Sequence, residues 1–279
     1  KRPVELESLN NAIKKINSLK RLEAYLYWLY SFCLRGLDGQ DITLVSDELL
    51  VEDYPVNDFI YDFDIEGYDT PVHIELRRKK TSARTFTLMV NAYPTLSILY
   101  LLKEVIRINR PDEVNEEDGL KLFKWDRISN KRKWDLYADF LQGRLTKILG
   151  KSFKSTRHTF ASTADKLGVA LSDQKALIGN KSRKGSIANY STIDEKRLDY
   201  IHLDVLGQYD IIRTYINLLK HIKETGLMQN AARTLDSQVY ELDKTQHLDE
   251  SWRTILDRET YKRRKRSFDS GKDTIIETL

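Results

Sequence analysis

"PVHIELRRKKTSARTFTLMV", residues 71–90, decides the fold class. Val72, Ile74 and Leu76 alternate with polar residues in its first half, and Phe86, Leu88 and Val90 recur at the same spacing in its second. Each half therefore reads as a β-strand. "KKTSAR" between them reads as a hairpin tip carrying positive charge, and an earlier strand is expected in "FIYDFDI". Outward from this hairpin the apolar spacing becomes helical in both directions. The expected class is α+β, mainly helical, with one small antiparallel sheet near residues 59–90.

Upstream, residues 4–34 read as helical, with Leu22, Leu26 and Leu29 among a crowd of Tyr and Trp, ending at Gly36. Downstream, Pro94-Thr95 opens a helix with Leu96, Leu99, Leu102 and Ile106 on one side. Residues 130–149 carry the stripe Trp134, Tyr137, Leu141, Leu145, Ile148, and Gly150 stops it. Two shorter helices are expected at 153–167 and 172–178. After Tyr190 the chain turns helical again, with Val205, Tyr209, Ile212, Ile216 and Leu219 marking one long amphipathic stretch. "GLMQNAARTLDSQ" reads as a looser connection, and a last charged helix is expected to carry Trp252 and Leu256 into "YKRRKR". This divides the chain into residues 1–200 and a helical C-terminal extension, 201–279.

Composition narrows the class. With 41% hydrophobic and 10% aromatic residues the chain can build a real core, and 32% charged residues predict a soluble protein with a solvated surface. The 46 Lys and Arg against 42 Asp and Glu leave a net charge of +4, too small an excess to identify a polyanion partner but large enough to conceal a basic face. The single cysteine, Cys33, excludes an internal disulfide and points to a reducing compartment; inside "YLYWLYSFCLRG" it reads as a small core residue. No apolar run approaches the roughly 20 residues of a membrane span, and no signal-peptide pattern opens the chain. It starts with Lys rather than Met, which is compatible with removal of an upstream segment. Five scattered histidines lack metal-ligand spacing, so no zinc site is expected.

The residues able to do chemistry begin with "KSTRHTFAS", residues 154–162. On a helix, Phe153, Thr156, Phe160, Ala164 and Leu167 share an inward face, with Lys154, Arg157, His158 and Ala161 beside it. Two fixed cations next to a buried face could converge on a phosphate, for which the planar fork of Arg is best suited; the alternative is an ordinary amphipathic helix with surface cations. Arg35 closes the apolar run "YLYWLYSFCL", where an arginine needs an acidic partner, such as Asp38 or Asp41, or a cleft. Lys80 stands at the hairpin tip, where it can reach a groove or simply be solvated. "ALIGNKSRKGSIANYS" offers Asn180 after a glycine turn, a basic loop, then Tyr190, one of 15 tyrosines.

Taken in order, "LRGLDGQDI", "RRKKTSARTFTLMV", "KSTRHTFASTADKLGV" and "LIGNKSRKGSIANY" resemble the tyrosine recombinase (phage-integrase) family, most closely integrases of Bacteroidetes mobile elements. The resemblance covers roughly residues 20–200. It implies the tyrosine recombinase catalytic fold and a reaction in which Tyr190 attacks a DNA phosphate, forming a 3′-phosphotyrosyl link and releasing a 5′-hydroxyl. Arg35 and Arg157 would hold the non-bridging oxygens, Lys80 would protonate the leaving oxygen, with Lys79 as its rival, and Asp41 would brace Arg35. Lys154 falls where relatives usually carry histidine, and lysine there also occurs in type IB topoisomerases and telomere resolvases. His158 would be a helper. Two departures are Asn180 at a position usually held by His or Trp, and a slightly longer gap from there to Tyr190; both leave open a catalytically degenerate, DNA-binding relative.

The resemblance further implies double-stranded DNA as partner, with Lys79, Lys181, Arg183 and Lys184 as backbone contacts and "NKRKW" and "YKRRKR" as further candidates. It also implies a homo-oligomer on DNA (dimer or tetramer), a cytoplasmic location on the bacterial nucleoid, and no metal or cofactor. The family normally carries an upstream core-binding domain. Only about 20 residues precede the match here, so the chain is expected to be a catalytic fragment of a longer protein.

Overall fold

The computed structural model describes residues 3–39, 41–43, 73–77, 85–92, 94–114, 121–125, 130–179, 195–228, 264–266 and 275–277. In chain order its elements are α1 (Leu6–Ile13), α2 (Leu19–Cys33), β1 (His73–Arg77), β2 (Thr85–Met89), α3 (Thr95–Asn109), α4 (Lys131–Leu149), α5 (Ser155–Lys166), α6 (Leu171–Leu177), α7 (Glu195–Gln208), α8 (Ile211–Thr225), β3 (Arg264–Arg266) and β4 (Ile275–Glu277). The described chain is mainly helical with a small antiparallel sheet, as the hairpin sequence requires.

Helix α2 is the hub. Every residue from Leu22 to Cys33 is buried, which is the fate of a helix that is apolar around its whole circumference. It packs against α3, α4 and α5. Its few polar tips are matched across these contacts. Trp28 Nε1 donates to Ser155 Oγ at 3.0 Å, and Ser31 Oγ donates to the Leu37 carbonyl while lying 3.0 Å from Thr156 Oγ1. Glu23, fully buried, accepts from Asn109 Nδ2 and Arg110 Nε at the end of α3. Burial raises the Glu23 pKa more than the Arg110 charge lowers it. The Arg110 guanidinium also sits 4.5 Å from the Phe140 ring centroid, stitching α3 to α4.

The hairpin forms with the register His73↔Met89 through Arg77↔Thr85. Pro94 caps α3 as expected, and Asn130 caps α4 by accepting from the Lys133 N–H. Gly150 ends α4 in the left-handed conformation.

One expectation is resolved more finely and two are corrected. Residues 4–34, read as helical, divide into two helices. The chain tightens after Ile13, with Lys15 and Ile16 bonding three residues back, and Ser18 is extended at the start of α2; Asn17 and Ser18 compete for backbone bonds and so favour a break. The stretch through Val205 and Leu219 is likewise split, at Asp210, whose φ of 46° a short polar side chain tolerates. The end of "YKRRKR" is strand, not helix: Arg264–Arg266 pairs antiparallel with Ile275–Glu277 and lies beside β1. A helix would stack its like charges three and four apart, whereas a strand alternates them across two faces.

A boundary after residue 200 falls inside α7. Both α7 and α8 are bound into the core: His202 to the Cys33 carbonyl, Tyr215 to the Ser97 carbonyl, His221 to the Ile16 carbonyl. "FIYDFDI", the hairpin tip, residues 229–250 and the helix expected around Trp252 and Leu256 lie outside the described residues. No helix among the described residues is long and apolar enough to cross a membrane.

Candidate functional site

The site starts where α2 stops. The Gly36 N–H bonds the Ser31 carbonyl at 2.8 Å and the Arg35 N–H the Phe32 carbonyl at 3.1 Å, a helix end that turns through two consecutive left-handed residues. Arg35 has φ 58° and Gly36 φ 69°. The second position suits glycine; the first is strained for arginine by roughly 1 kcal/mol, a strain that persists only where surrounding contacts enforce it.

Two sets of contacts do so. The turn lies directly on α5: a Cβ at Gly36 would meet Arg157 Cα at 2.4 Å and its amide nitrogen at 2.7 Å. Arg35 and Arg157 are thereby held on adjoining backbones. At the other end of its side chain, Arg35, only 1% exposed, donates from Nη1 to the Thr87 carbonyl at 3.1 Å and from Nη2 to Asp199 Oδ1 at 2.8 Å. The second oxygen of Asp199 lies 2.7 Å from His73 Nε2. Thr87 Oγ1 in turn donates to Glu195 Oε1 at 3.0 Å.

Helix α5 presents its residues largely as its spacing predicts. Thr156, Phe160 and Ala164 are buried and Phe153 half-buried, but Leu167, past the helix end, is exposed. Arg157 is half-buried and its Nη2 donates to the Ile178 carbonyl at 2.5 Å. Lys154, immediately before the helix, and His158 are exposed. The sequence sought a carboxylate for Arg35 at Asp38 or Asp41; the ion pair formed is with Asp199, 164 residues onward, while Asp41 is buried nearby in sequence.

Lys79, Lys80, Asn180, Lys181, Arg183, Lys184 and Tyr190 lie outside the described residues. The residues flanking both of their segments are nonetheless tied to the arginines. Thr87 on β2 meets Arg35; Ile178 meets Arg157; Glu195 and Asp199 close the far side. Sequence reasoning missed His73, Thr87, Glu195 and Asp199. The available signal was polar residues on an apolar stripe: Asp199 and His202 share the buried face of α7 with Leu206.

Beneath this cluster His202 is fully buried, its Nε2 2.7 Å from the Cys33 carbonyl, which can only accept, so Nε2 carries the proton. Burial, reinforced by the Arg35 charge, brings its pKa down to about 3. An unfolded histidine titrates near 6.5 (about 6.5 in peptides). As pH falls below that value the unfolded chain takes up a proton that the folded chain refuses. Stability present above pH ~6.5 is therefore lost towards pH ~3, at up to about 1.4 kcal/mol per pH unit. Urea midpoints measured between these limits should fall more steeply in the native chain than in His202→Gln, which keeps a donor for Cys33; parallel slopes would contradict this. Cys33 itself is buried and its thiol pushed up to about 12, so it is inert as a nucleophile at neutral pH.

In comparisons with protein-family models, curated proteins and solved structures, nothing matches this chain.

Proposed function

We propose that the chain carries a tyrosine-nucleophile site for DNA strand cleavage and religation, acting as a recombinase or integrase of a mobile element or phage. The observation that carries this reading is the packing of the Arg35–Gly36 turn onto Arg157, which joins two arginines 122 positions apart in the chain. In the reaction, Tyr190 Oη attacks the scissile phosphorus, the bond to the 5′ oxygen breaks, and Lys80 supplies the proton to that oxygen. The energy of the broken bond is retained in the phosphotyrosyl link for religation. Arg35 and Arg157 offset the charge growing on the non-bridging oxygens, with Lys154 at the exposed start of α5 facing DNA. Double-stranded DNA is the partner, engaged by a homo-oligomer.

The test uses a pool of nicked duplexes with randomised centres, from which covalent protein–DNA adducts are recovered on denaturing gels. The expected result is an adduct that Tyr190→Phe loses. Complete absence of adduct across the pool and across DNA flanking the coding region would overturn the reading. Relaxation of supercoiled plasmid without a specific site would point instead to topoisomerase activity, and hairpin products to telomere resolution.

A second reading, a DNA-binding relative with little chemistry, is favoured by the enclosure of Arg35 in its ion pair with Asp199. Salt-dependent DNA retention without adduct is its signature.

A further inference from the structure

We propose that Asp199 is a positioning residue for Arg35: helix α7 sets the guanidinium in the site, and His73 on β1 holds the carboxylate that does so. The inference rests on the proposed role of Arg35 as a phosphate ligand. Its basis is how the side chain is fixed. The Arg35 backbone is set by the end of α2 and by Arg157, but the arginine side chain is long and rotatable, and a fixed Cα does not fix its fork. Two contacts at its far end do. One is the Thr87 carbonyl on β2, the other Asp199 Oδ1 on α7.

The carboxylate is itself held twice, by Arg35 on one oxygen and His73 on the other, and is only 2% exposed. Glu195, one helical turn earlier on α7, takes the hydroxyl of the same Thr87 whose carbonyl takes Arg35. Arg35, Thr87, Glu195 and Asp199 thus form a closed loop of contacts over α2, β2 and α7. A buried ion pair is weak evidence of stabilisation, because desolvation offsets much of its attraction. What this arrangement supplies instead is a single direction for the guanidinium plane.

The consequence is measurable in the full chain with the nicked randomised duplexes already described. Asp199→Asn, which keeps the shape and removes the charge, should slow adduct formation about 100-fold, the order expected for misplacement of a reacting group by about 1 Å. Asp199→Glu restores the charge one methylene further out and should recover about tenfold of that loss. Retention on duplex DNA should stay within about threefold for both, since a buried carboxylate that acts through Arg35 alone changes little of an electrostatic affinity to which many cations contribute. In an Arg35→Ala background, Asp199→Asn should slow the reaction no further, because it acts only through Arg35.

A native rate in Asp199→Asn, or an additional loss in the Arg35→Ala background, overturns the proposal while leaving the tyrosine chemistry standing. Absence of adduct in the native chain overturns both. Thermal melts identify an Asp199→Asn chain that does not fold; Asp199→Glu then carries the comparison, and its rate matching the native rate overturns the proposal.

Discussion

Arg157→Ala is expected to reduce covalent adduct formation by about 1,000-fold or more while leaving DNA affinity within about 1–3 kcal/mol of native. The asymmetry follows from where the residue sits. Its backbone belongs to the first turn of α5, pressed by the Arg35–Gly36 turn, and alanine maintains that helix. What disappears is a half-buried fork whose Nη2 is anchored on the Ile178 carbonyl, so its direction is fixed before any phosphate arrives. A preorganised donor counts for most when charge grows in the transition state and for much less in ground-state binding, to which many cations contribute. Arg157→Lys should recover only a small part of the rate, since an ammonium keeps the charge without the planar two-point grip. Single-turnover adduct formation and filter retention on the same duplexes separate the two effects. Unchanged cleavage in Arg157→Ala would remove this residue from the reaction.

The second large effect is on folding. Gly36→Ala should destabilise the chain by about 3–5 kcal/mol, combining left-handed strain with overpacking, and lower Tm by on the order of 10 °C. The added Cβ would lie 2.4 Å from Arg157 Cα and 2.7 Å from its nitrogen. Both are backbone atoms of a packed helix, so relief requires moving α5 or the end of α2. Gly143, on the exposed side of α4, is the contrasting position: a Cβ there meets nothing within 4 Å, and Gly143→Ala should stabilise by about 0.5–1 kcal/mol. Calorimetry on both variants checks the pair. A native-like melt for Gly36→Ala would contradict the close packing of the turn on α5.

These two positions illustrate what was legible in the sequence. Elements with a local signature were read closely: β1 and β2 from strict alternation, α4 from its stripe between Asn130 and Gly150, the buried character of α2 from its unbroken apolar run. The break before Ser18 and the one at Asp210 were hidden because apolar spacing continues across both, and only a few polar residues mark them. At the site, Arg35 was conspicuous as a charge closing an apolar helix, and the need for an anionic partner followed. The partner was not legible. Asp199 is 164 residues away and leaves no local trace beyond a carboxylate on a buried face, so nearby Asp38 and Asp41 took its place in the reading. The left-handed conformation of Arg35 was equally hidden, because the glycine signal belongs to the next residue.

The distance between Arg35 and Asp199 also sets an order of events during synthesis. Helix α2 can leave the ribosome early, but the charge at its end stays without this carboxylate until 164 more residues have been added. At about 5–20 residues per second that interval is on the order of 10–30 s. Throughout it, the nascent chain carries a hydrated arginine at the tip of a largely apolar helix, and the hub cannot close over that end until α7 emerges.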